Sequence, residues 1–280
     1  MGKGFECDIN NKVVVITGAG GIICGGIAEE LAALGAKVAL LDLNLAAAEA
    51  VAERIRADGK VAKAYEANVL QKDSLSAVRE AMLAELGACD ILINGAGGNS
   101  PRATTENEYC ELGKEYAKDF FSLDESGVRF VFDLNFLGTF LPTQTFAKDM
   151  LGKSGCSILN ISSMNAFTPL TKIPAYSGAK AAVSNFTEWL AVHFAKAGIR
   201  VNAIAPGFFV TNQNRGLLYS ADGAPTPRTD KILAATPMGR FGEIKELMGA
   251  VKLLLSESEA SFITGVVLPI DGGFSAYSGV

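Results

Sequence analysis

The chain of 280 residues contains a single histidine, His193, and this scarcity excludes several kinds of catalytic site. A zinc site of the His-Glu-x-x-His type needs two histidines and therefore cannot form. A Ser-His-Asp triad could use only His193, which lies in a predicted helix. We therefore expect His193 to be structural.

The five cysteines are odd in number and scattered, and no two of them have the spacing Cys-x-x-Cys. They are Cys7, Cys24, Cys89, Cys110 and Cys156. This pattern argues against a disulfide framework and against a zinc site. We expect reduced thiols and no bound metal.

The sequence also lacks long apolar runs and any excess of basic residues. No stretch approaches the roughly 20 apolar residues that a membrane span needs. The net charge is −5 and the pI is about 5.1, so nothing indicates a nucleic-acid or membrane partner. Residues 1–11 lack the apolar core of a signal peptide, and we expect a cytoplasmic protein.

Short β-branched runs alternate with stretches of helical periodicity along the chain. Strands are predicted at 13–17, 38–42, 61–68, 91–94, 157–161, 201–205 and 266–270. Helices are predicted at 25–34, 45–57, 74–86, 128–150, 176–196 and 244–256. The early strands are apolar with little alternation, as in strands covered on both faces. This rhythm predicts a three-layer α/β fold around a parallel, doubly wound sheet.

Two stretches interrupt the rhythm, at about 97–127 and at about 211–236. Both follow the ends of predicted strands, where open α/β sheets bind ligands, and both read as insertions that form lids or binding loops. No repeat or linker is present, so the sequence predicts one domain over residues 1–280.

A glycine-rich turn follows the first predicted strand, and Asp42 ends the second. Backbone N–H groups in such a turn can meet a pyrophosphate at the positive end of the next helix. A carboxylate at Asp42 can accept hydrogen bonds from both ribose hydroxyls and would repel a 2′-phosphate. These features predict NAD rather than NADP as the cofactor. The alternative for Asp42 is a helix N-cap.

Tyr176 and Lys180 lie four residues apart on a predicted helix, so their side chains share one face. A lysine there can favour the phenolate, which can take a proton from an alcohol. Ser163, thirteen residues before Tyr176, could donate a hydrogen bond to the substrate oxygen. Taken singly, each residue also has a structural interpretation, as an anchor, a solvated cation or a turn residue.

Several motifs in a fixed order resemble the short-chain dehydrogenase/reductase family over nearly the whole chain, from about Lys12 to Gly273. The motifs are the turn that starts at Thr17, Asn94-Gly-Ala-Gly97 in place of the family's Asn-Asn-Ala-Gly, Asn135, Ser163 with Tyr176 and Lys180, Pro206-Gly207 followed by Thr211, and Asp271-Gly-Gly273. The resemblance implies a Rossmann fold with a parallel seven-stranded sheet, and a homotetramer.

The resemblance also implies the roles of individual residues. Tyr176 would be the general acid or base, Ser163 would stabilise the substrate oxygen, Asn135 would help to hold a water linked to Lys180, and Lys180 would also bind the nicotinamide ribose. The residues expected to contact NAD are Gly18, Gly21, Ile22, Ile23, Asp42, Leu43, Asn68, Val69, Asn94, Ala96, Gly97, Tyr176, Lys180, Pro206, Gly207, Phe209 and Thr211.

Three positions depart from the family pattern. Ile22 and Cys24 stand where the pattern Thr-Gly-x-x-x-Gly-x-Gly has its last two glycines, and Asn68 stands where many relatives carry an aspartate. We expect Cys24 to act as a small buried spacer between helix and strand. The departures concern the geometry of the cofactor site, and they are the best support for an alternative of another class, a catalytically silent nucleotide-binding scaffold.

The two insertions are polar, which favours a hydroxyl-rich, anionic substrate over a steroid or fatty acyl chain. The polar candidates are Asn99, Arg102, Asn165, Lys172, Gln213 and Arg215, and either Arg102 or Lys172 could pair with a carboxylate. The expected substrate contacts are Arg102, Ser163, Asn165, Tyr176 and Gln213. The longer motif strings resemble a sugar-acid branch of the family that interconverts D-fructuronate and D-mannonate. A gluconate 5-dehydrogenase-like or polyol dehydrogenase is the alternative.

Overall fold

The computed structural model describes residues 7–211 and 214–279. Within these ranges, seven strands form one sheet in the order β3-β2-β1-β4-β5-β6-β7, and all neighbouring strands are parallel. The strands are β1 (Val13–Thr17), β2 (Lys37–Asp42), β3 (Ala62–Glu66), β4 (Ile91–Asn94), β5 (Cys156–Ile161), β6 (Ile199–Pro206) and β7 (Val267–Ile270). The predicted doubly wound parallel sheet is confirmed, because chain order reverses between β1 and β4.

Helices cover both faces of the sheet. They are α1 (Ile22–Ala33), α2 (Leu45–Ala57), α3 (Lys72–Glu85), α4 (Glu125–Phe132), α5 (Gly138–Phe146), α6 (Pro174–Phe194), α7 (Arg215–Leu218), α8 (Pro227–Ala234), α9 (Met248–Leu255) and α10 (Glu257–Ala260). One core, with Ile27 of α1 and Val251 of α9, packs on one face of the sheet. A second core, with Met82 of α3 and Phe146 of α5, packs on the other. Both faces of the sheet are therefore shielded from water, which explains why the strands are apolar with little alternation.

The prediction of one helix over 128–150 is wrong. Helix α4 begins at Glu125, where the Asp124 side chain accepts a hydrogen bond from the Ser126 N–H as an N-cap. A π-helical turn at Asp133–Leu137 separates α4 from α5, and a 3₁₀ turn at Ala147–Met150 follows α5. Single π turns inside helices are frequent at functional sites, and this one carries Asn135.

The second predicted insertion, at 211–236, contains ordered structure. It includes α7 and α8, and the N-cap Thr226 accepts a hydrogen bond from the Thr229 N–H at the start of α8. The first insertion, at 97–127, contains a 3₁₀ turn at Pro101–Ala103 and is otherwise irregular up to α4. A Glu108–Lys231 ion pair of 3.0 Å joins the two insertions.

Two features are absent from residues 7–211 and 214–279. No helix there has the length and apolar character needed to cross a membrane. No group of three His, Cys, Asp or Glu side chains in the same ranges could hold a metal ion.

Candidate active site

A cleft of about 760 Å³ lies at the carboxyl ends of the strands, where chain order reverses between β1 and β4. In parallel sheets this edge is the usual place for a ligand. Most residues expected from sequence line it. They are Gly18, Gly21, Ile22, Ile23, Asp42, Leu43, Asn68, Val69, Ala96, Gly97, Ser163, Tyr176, Lys180, Pro206, Gly207, Phe209 and Thr211.

The turn after β1 and the turn after β4 are in direct contact. Gly18 has a left-handed backbone, with φ of 67°, and an added Cβ would lie 2.9 Å from the Ala96 backbone. The Thr17 hydroxyl accepts hydrogen bonds from the N–H groups of Gly95 (3.1 Å) and Ala96 (3.2 Å). These contacts fix the floor of the cleft.

Helix α1 points its N-terminus into the cleft. Its N-cap, Gly21, provides no side-chain cap, and the first turn contains no acidic residue. N–H groups at such an end are available to an anionic ligand, and the helix dipole favours a negative charge there. Ile22, the first residue of α1, lines the cleft and is 37% exposed.

Asp42 lies at the far end of the cleft and is not the N-cap of α2. The Asn44 side chain fills that role by accepting from the Ala47 N–H. The Asp42 carboxylate accepts one hydrogen bond from the Gly20 N–H and one from the Asn44 N–H, both at 2.9 Å. A carboxylate has about four acceptor positions. Two remain for a ligand, as many as the two hydroxyls of a ribose require.

Tyr176 and Lys180 lie in the first two turns of α6, as expected. The Lys180 ammonium is 5.7 Å from the centre of the Tyr176 ring and donates a hydrogen bond of 2.8 Å to the Ile161 carbonyl oxygen. The lysine is buried, and burial lowers its pKa to about 8, while the nearby Cys24 acts in the opposite direction.

The pKa of Tyr176 is raised in this structure, whereas the sequence led us to expect that Lys180 favours the phenolate. Burial raises the pKa of Tyr176 above its usual value of 10, and a hydrogen bond from Ser163 offsets this only in part. The phenol is therefore protonated at neutral pH and is poised to donate a proton.

Ser163 ends the segment after β5 and caps the 3₁₀ turn Met164–Ala166. Its Oγ accepts a hydrogen bond of 3.3 Å from the Asn165 N–H, and its own hydroxyl proton points to the Tyr176 oxygen. Asn165 itself is buried and does not line the cleft. Its Oδ1 has no hydrogen-bond partner among the described residues.

Asn135 lies behind the cleft. Its Nδ2 donates to the carbonyl oxygens of Gly98 and Val131, both at 2.7 Å, and its Oδ1 accepts from the Gly98 N–H at 3.2 Å. The side chain therefore supports the backbone after β4, next to Lys180.

Besides Asn135 and Asn165, two described residues that we expected in the site, Asn94 and Arg102, do not line the cleft. Asn94 is buried in the sheet, where its Nδ2 donates to Thr143 and Asn160. Arg102 is exposed on the first insertion and bonds to Ser126. Gln213 lies outside the described residues.

Sequence reasoning missed several cleft residues. Asn44 lies two residues after Asp42 and lines the cleft. Its position directly before a predicted helix could have identified it as an N-cap. Phe130 and Leu134 line the cleft from α4 and the π turn; their spacing of four residues was the available signal. The Asn214 side chain stabilises the turn after β6. Its Oδ1 accepts a hydrogen bond from the Thr211 N–H, and its Nδ2 donates one to the Phe209 carbonyl oxygen.

A smaller cavity of about 350 Å³ lies beside the end of β7. Its charged groups are already engaged. Arg240 donates two hydrogen bonds to Glu246, and Asp271 accepts from the N–H groups of Gly273 and Ser275. Ser163, Tyr176 and Lys180 lie in the larger cleft.

Comparisons with known proteins agree with this geometry. The chain is 61% identical over 274 residues to an uncharacterized oxidoreductase of Haemophilus influenzae, covering 98% of this chain and 96% of the relative. A crystal structure from the same species, described as a candidate D-mannonate oxidoreductase with bound NAD, has a TM-score of 0.94 and 60% identity over 97% of this chain and 98% of its own.

A more distant structure is a gluconate 5-dehydrogenase from Burkholderia cenocepacia in complex with NADP and tartrate. Its TM-score is 0.82 at 28% identity, over 97% of this chain and 98% of its own. The family profile described as short chain dehydrogenase matches residues 12–219. The chain is therefore a member of the short-chain dehydrogenase family and an oxidoreductase of that type.

Proposed function

We propose that the protein is an NAD(H)-dependent oxidoreductase that interconverts D-fructuronate and D-mannonate. The observation that carries the reaction class is the convergence of Ser163, Tyr176 and Lys180 on one cleft whose far end holds Asp42. The substrate rests on similarity to the Haemophilus structure described as a candidate D-mannonate oxidoreductase. When bound, NADH supplies the hydride that converts the ketone to a secondary alcohol.

The geometry supports NAD as the cofactor. The Asp42 carboxylate has two free acceptor positions, and a 2′-phosphate beside it would be repelled. Of the described residues lining the cleft, Lys180 carries the one cationic side chain, and it lies at the other end. The uncapped N-terminus of α1 fits a pyrophosphate between these ends.

In the reducing direction, Tyr176 donates its proton to the ketone oxygen. Its raised pKa keeps the proton in place until the oxygen becomes basic. Ser163 donates a hydrogen bond to the same oxygen and stabilises its developing charge. Lys180 orients the ribose and stabilises the phenolate that remains, and Asn135 holds the backbone beside it. In the oxidising direction, the positive charge of the oxidised nicotinamide adds to that of Lys180 and favours the phenolate.

The test is the oxidation of NADH by the purified protein with D-fructuronate, 5-ketogluconate and D-fructose as separate substrates. We expect kcat/KM to be highest for D-fructuronate, and higher with NADH than with NADPH. Turnover of 5-ketogluconate but not D-fructuronate would favour a gluconate 5-dehydrogenase, which the Burkholderia structure supports as the second candidate. Binding of NADH without turnover of any ketone would favour the silent scaffold.

The homotetramer remains a prediction. An apolar face of α6, with Trp189 57% exposed and Val192 80% exposed, is the surface on which we expect two copies of the chain to pair. Light scattering of the purified protein measures the mass, and a monomer would contradict the prediction.

A further inference from the structure

The substrate proposed above carries a carboxylate, and the structure distinguishes between the two cations that sequence alone offered for it. Arg102 is engaged elsewhere. Its Nη1 donates to the Ser126 hydroxyl at 2.9 Å and lies 3.6 Å from the Asp124 carboxylate. Asp124 and Ser126 belong to the start of α4, so Arg102 fastens the first insertion to that helix.

Lys172 has a different environment. It lies on the segment that connects Ser163 to Tyr176, two residues before α6 begins. Its ammonium forms no hydrogen bond or ion pair with any residue that the structure describes, although the residue is only partly exposed. A cation without a partner is available to an anion that a ligand supplies.

The backbone of Lys172 is held in an unusual conformation. Its φ is 72°, in the left-handed region that residues other than glycine seldom adopt. Its carbonyl oxygen accepts a hydrogen bond of 2.9 Å from the Thr105 N–H, which belongs to the first insertion. Such strain persists only where the surrounding structure maintains it, and it is common beside functional sites. The left-handed turn sets the direction in which the side chain leaves the segment.

Lys172 lies near the ion pair between Glu108 of the first insertion and Lys231 of the second. The pKa of Glu108 is lowered, first by its hydrogen bond from Lys231 and further by the positive charges of Lys231, Lys172 and Arg228. Lys172 and Arg228 therefore act on the carboxylate of Glu108 only through space, whereas Lys231 bonds to it directly. Glu108 pairs with Lys231, which leaves Lys172 as a cation available to a second anion.

We infer that Lys172 is a specificity-determining residue that binds the carboxylate of an anionic sugar-acid substrate, while Tyr176 and Ser163 contact the ketone. This inference rests on the proposed function. It assigns the charged end of the substrate to the place where the two insertions meet, beyond the residues that line the cleft.

The test compares D-fructuronate with D-fructose, which has a hydroxymethyl group in place of the carboxylate. In Lys172→Met, the ratio of kcat/KM for D-fructuronate to kcat/KM for D-fructose should fall at least tenfold. The loss should appear mainly as a higher KM for D-fructuronate. The dependence of its kcat/KM on salt concentration should also weaken, because a screened charge pair has been removed.

Two further variants serve as controls. Lys172→Arg keeps the charge and should retain most of the ratio. Lys148→Met removes the same charge from an exposed turn before β5, at the amino ends of the strands. This change should leave the ratio unchanged. The affinity for NADH, measured by fluorescence, should be the same in the wild type and the three variants. Equal affinity shows that each variant is folded.

The outcomes separate the two proposals. If the wild-type protein fails to reduce D-fructuronate, the proposed function is wrong. If the wild-type protein reduces it and Lys172→Met loses equal activity on both substrates, or keeps the wild-type ratio, only the assignment of Lys172 is wrong.

Discussion

The Sγ of Cys24, on α1, occupies the space that a side chain at Gly95 would need. A Cβ added to Gly95 would overlap this sulfur atom. In the family pattern, residue 24 is a glycine and residue 95 is an asparagine. The two departures are therefore one exchange, in which a side chain on the helix replaces a side chain on the turn after β4. The expectation that Cys24 is a buried spacer between helix and strand agrees with its 4% exposure.

This relationship predicts a coupled effect of two substitutions. Gly95→Ala should lower the free energy of unfolding by about 1–3 kcal/mol, because it overpacks a rigid contact. In Cys24→Gly, the same Gly95→Ala change should cost less. The rescue should be partial, because the added Cβ would still approach the Thr17 carbonyl oxygen to 2.9 Å. Urea unfolding of the wild type, the two single variants and the double variant measures the coupling between the two positions.

The same four proteins should show the coupling in their affinity for NADH, since Cys24 and Gly95 both line the cleft. Gly113→Ala is a control in open space on the first insertion; its φ of 76° adds backbone strain but no contact. Strictly additive unfolding energies in the four proteins would show that Cys24 and Gly95 do not act as a pair.

Much of the sheet was predictable because its strands are apolar runs bounded by turn residues. β1, β4 and α2 have the predicted bounds, and each of the other strands differs from its predicted bounds by one to three residues, both ends taken together. The break between α4 and α5 was not predictable from periodicity, because a π turn shifts the helical phase without changing the composition. Helix α7 has only four residues, too few for a periodic signal.

The site was predictable where a motif fixes the backbone and less so elsewhere. Tyr176 and Lys180 share a helix, so their spacing alone places them together. The direction of the Tyr176 pKa shift was not predictable, because it depends on how deeply the fold buries the phenol. The position of Arg102 depends on tertiary contacts with α4 that leave no local signal in the sequence.

Asp42 should control the choice of cofactor. Asp42→Ala removes the acceptor for the ribose hydroxyls, and we expect the ratio of kcat/KM with NADH to kcat/KM with NADPH to fall roughly 10- to 100-fold, as for hydrogen bonds to a charged group. Because Asp42 also accepts from the N–H groups of Gly20 and Asn44, some loss of stability should accompany the change. Asp58→Ala, at the other end of α2, is the matched control. An unchanged cofactor ratio in Asp42→Ala would refute the role.

Tyr176 should be required for turnover but not for folding. Tyr176→Phe removes the proton donor, and we expect kcat to fall by roughly 10²–10⁴-fold while NADH still binds. Tyr65→Phe removes a phenol of the same kind from the outer strand β3, where it donates to Glu85 at 2.6 Å. That variant should turn over at close to the wild-type rate. Steady-state kinetics and NADH fluorescence provide both measurements, and near-normal kcat in Tyr176→Phe would exclude Tyr176 as the proton donor.

Lys180 should give the protein a measurable dependence of stability on pH. Its pKa of about 8 in the folded protein lies below its ordinary value of 10.5, so between these values the unfolded chain binds more protons. The contribution of Lys180 therefore reduces stability below about pH 8, and this penalty disappears as the pH rises towards 10.5. Integrated over the window, the change is on the order of 3 kcal/mol.

Lys180→Met isolates this contribution, because methionine fills similar space without a charge. We expect the variant to gain stability relative to the wild type at pH 7, and the difference to shift in favour of the wild type between pH 8 and pH 10. Burial raises the pKa of Cys24 to about 12 and raises that of Tyr176, and both residues are present in the two proteins. Urea unfolding at several pH values measures the difference. A difference that stays constant across the window would mean that burial does not perturb the lysine.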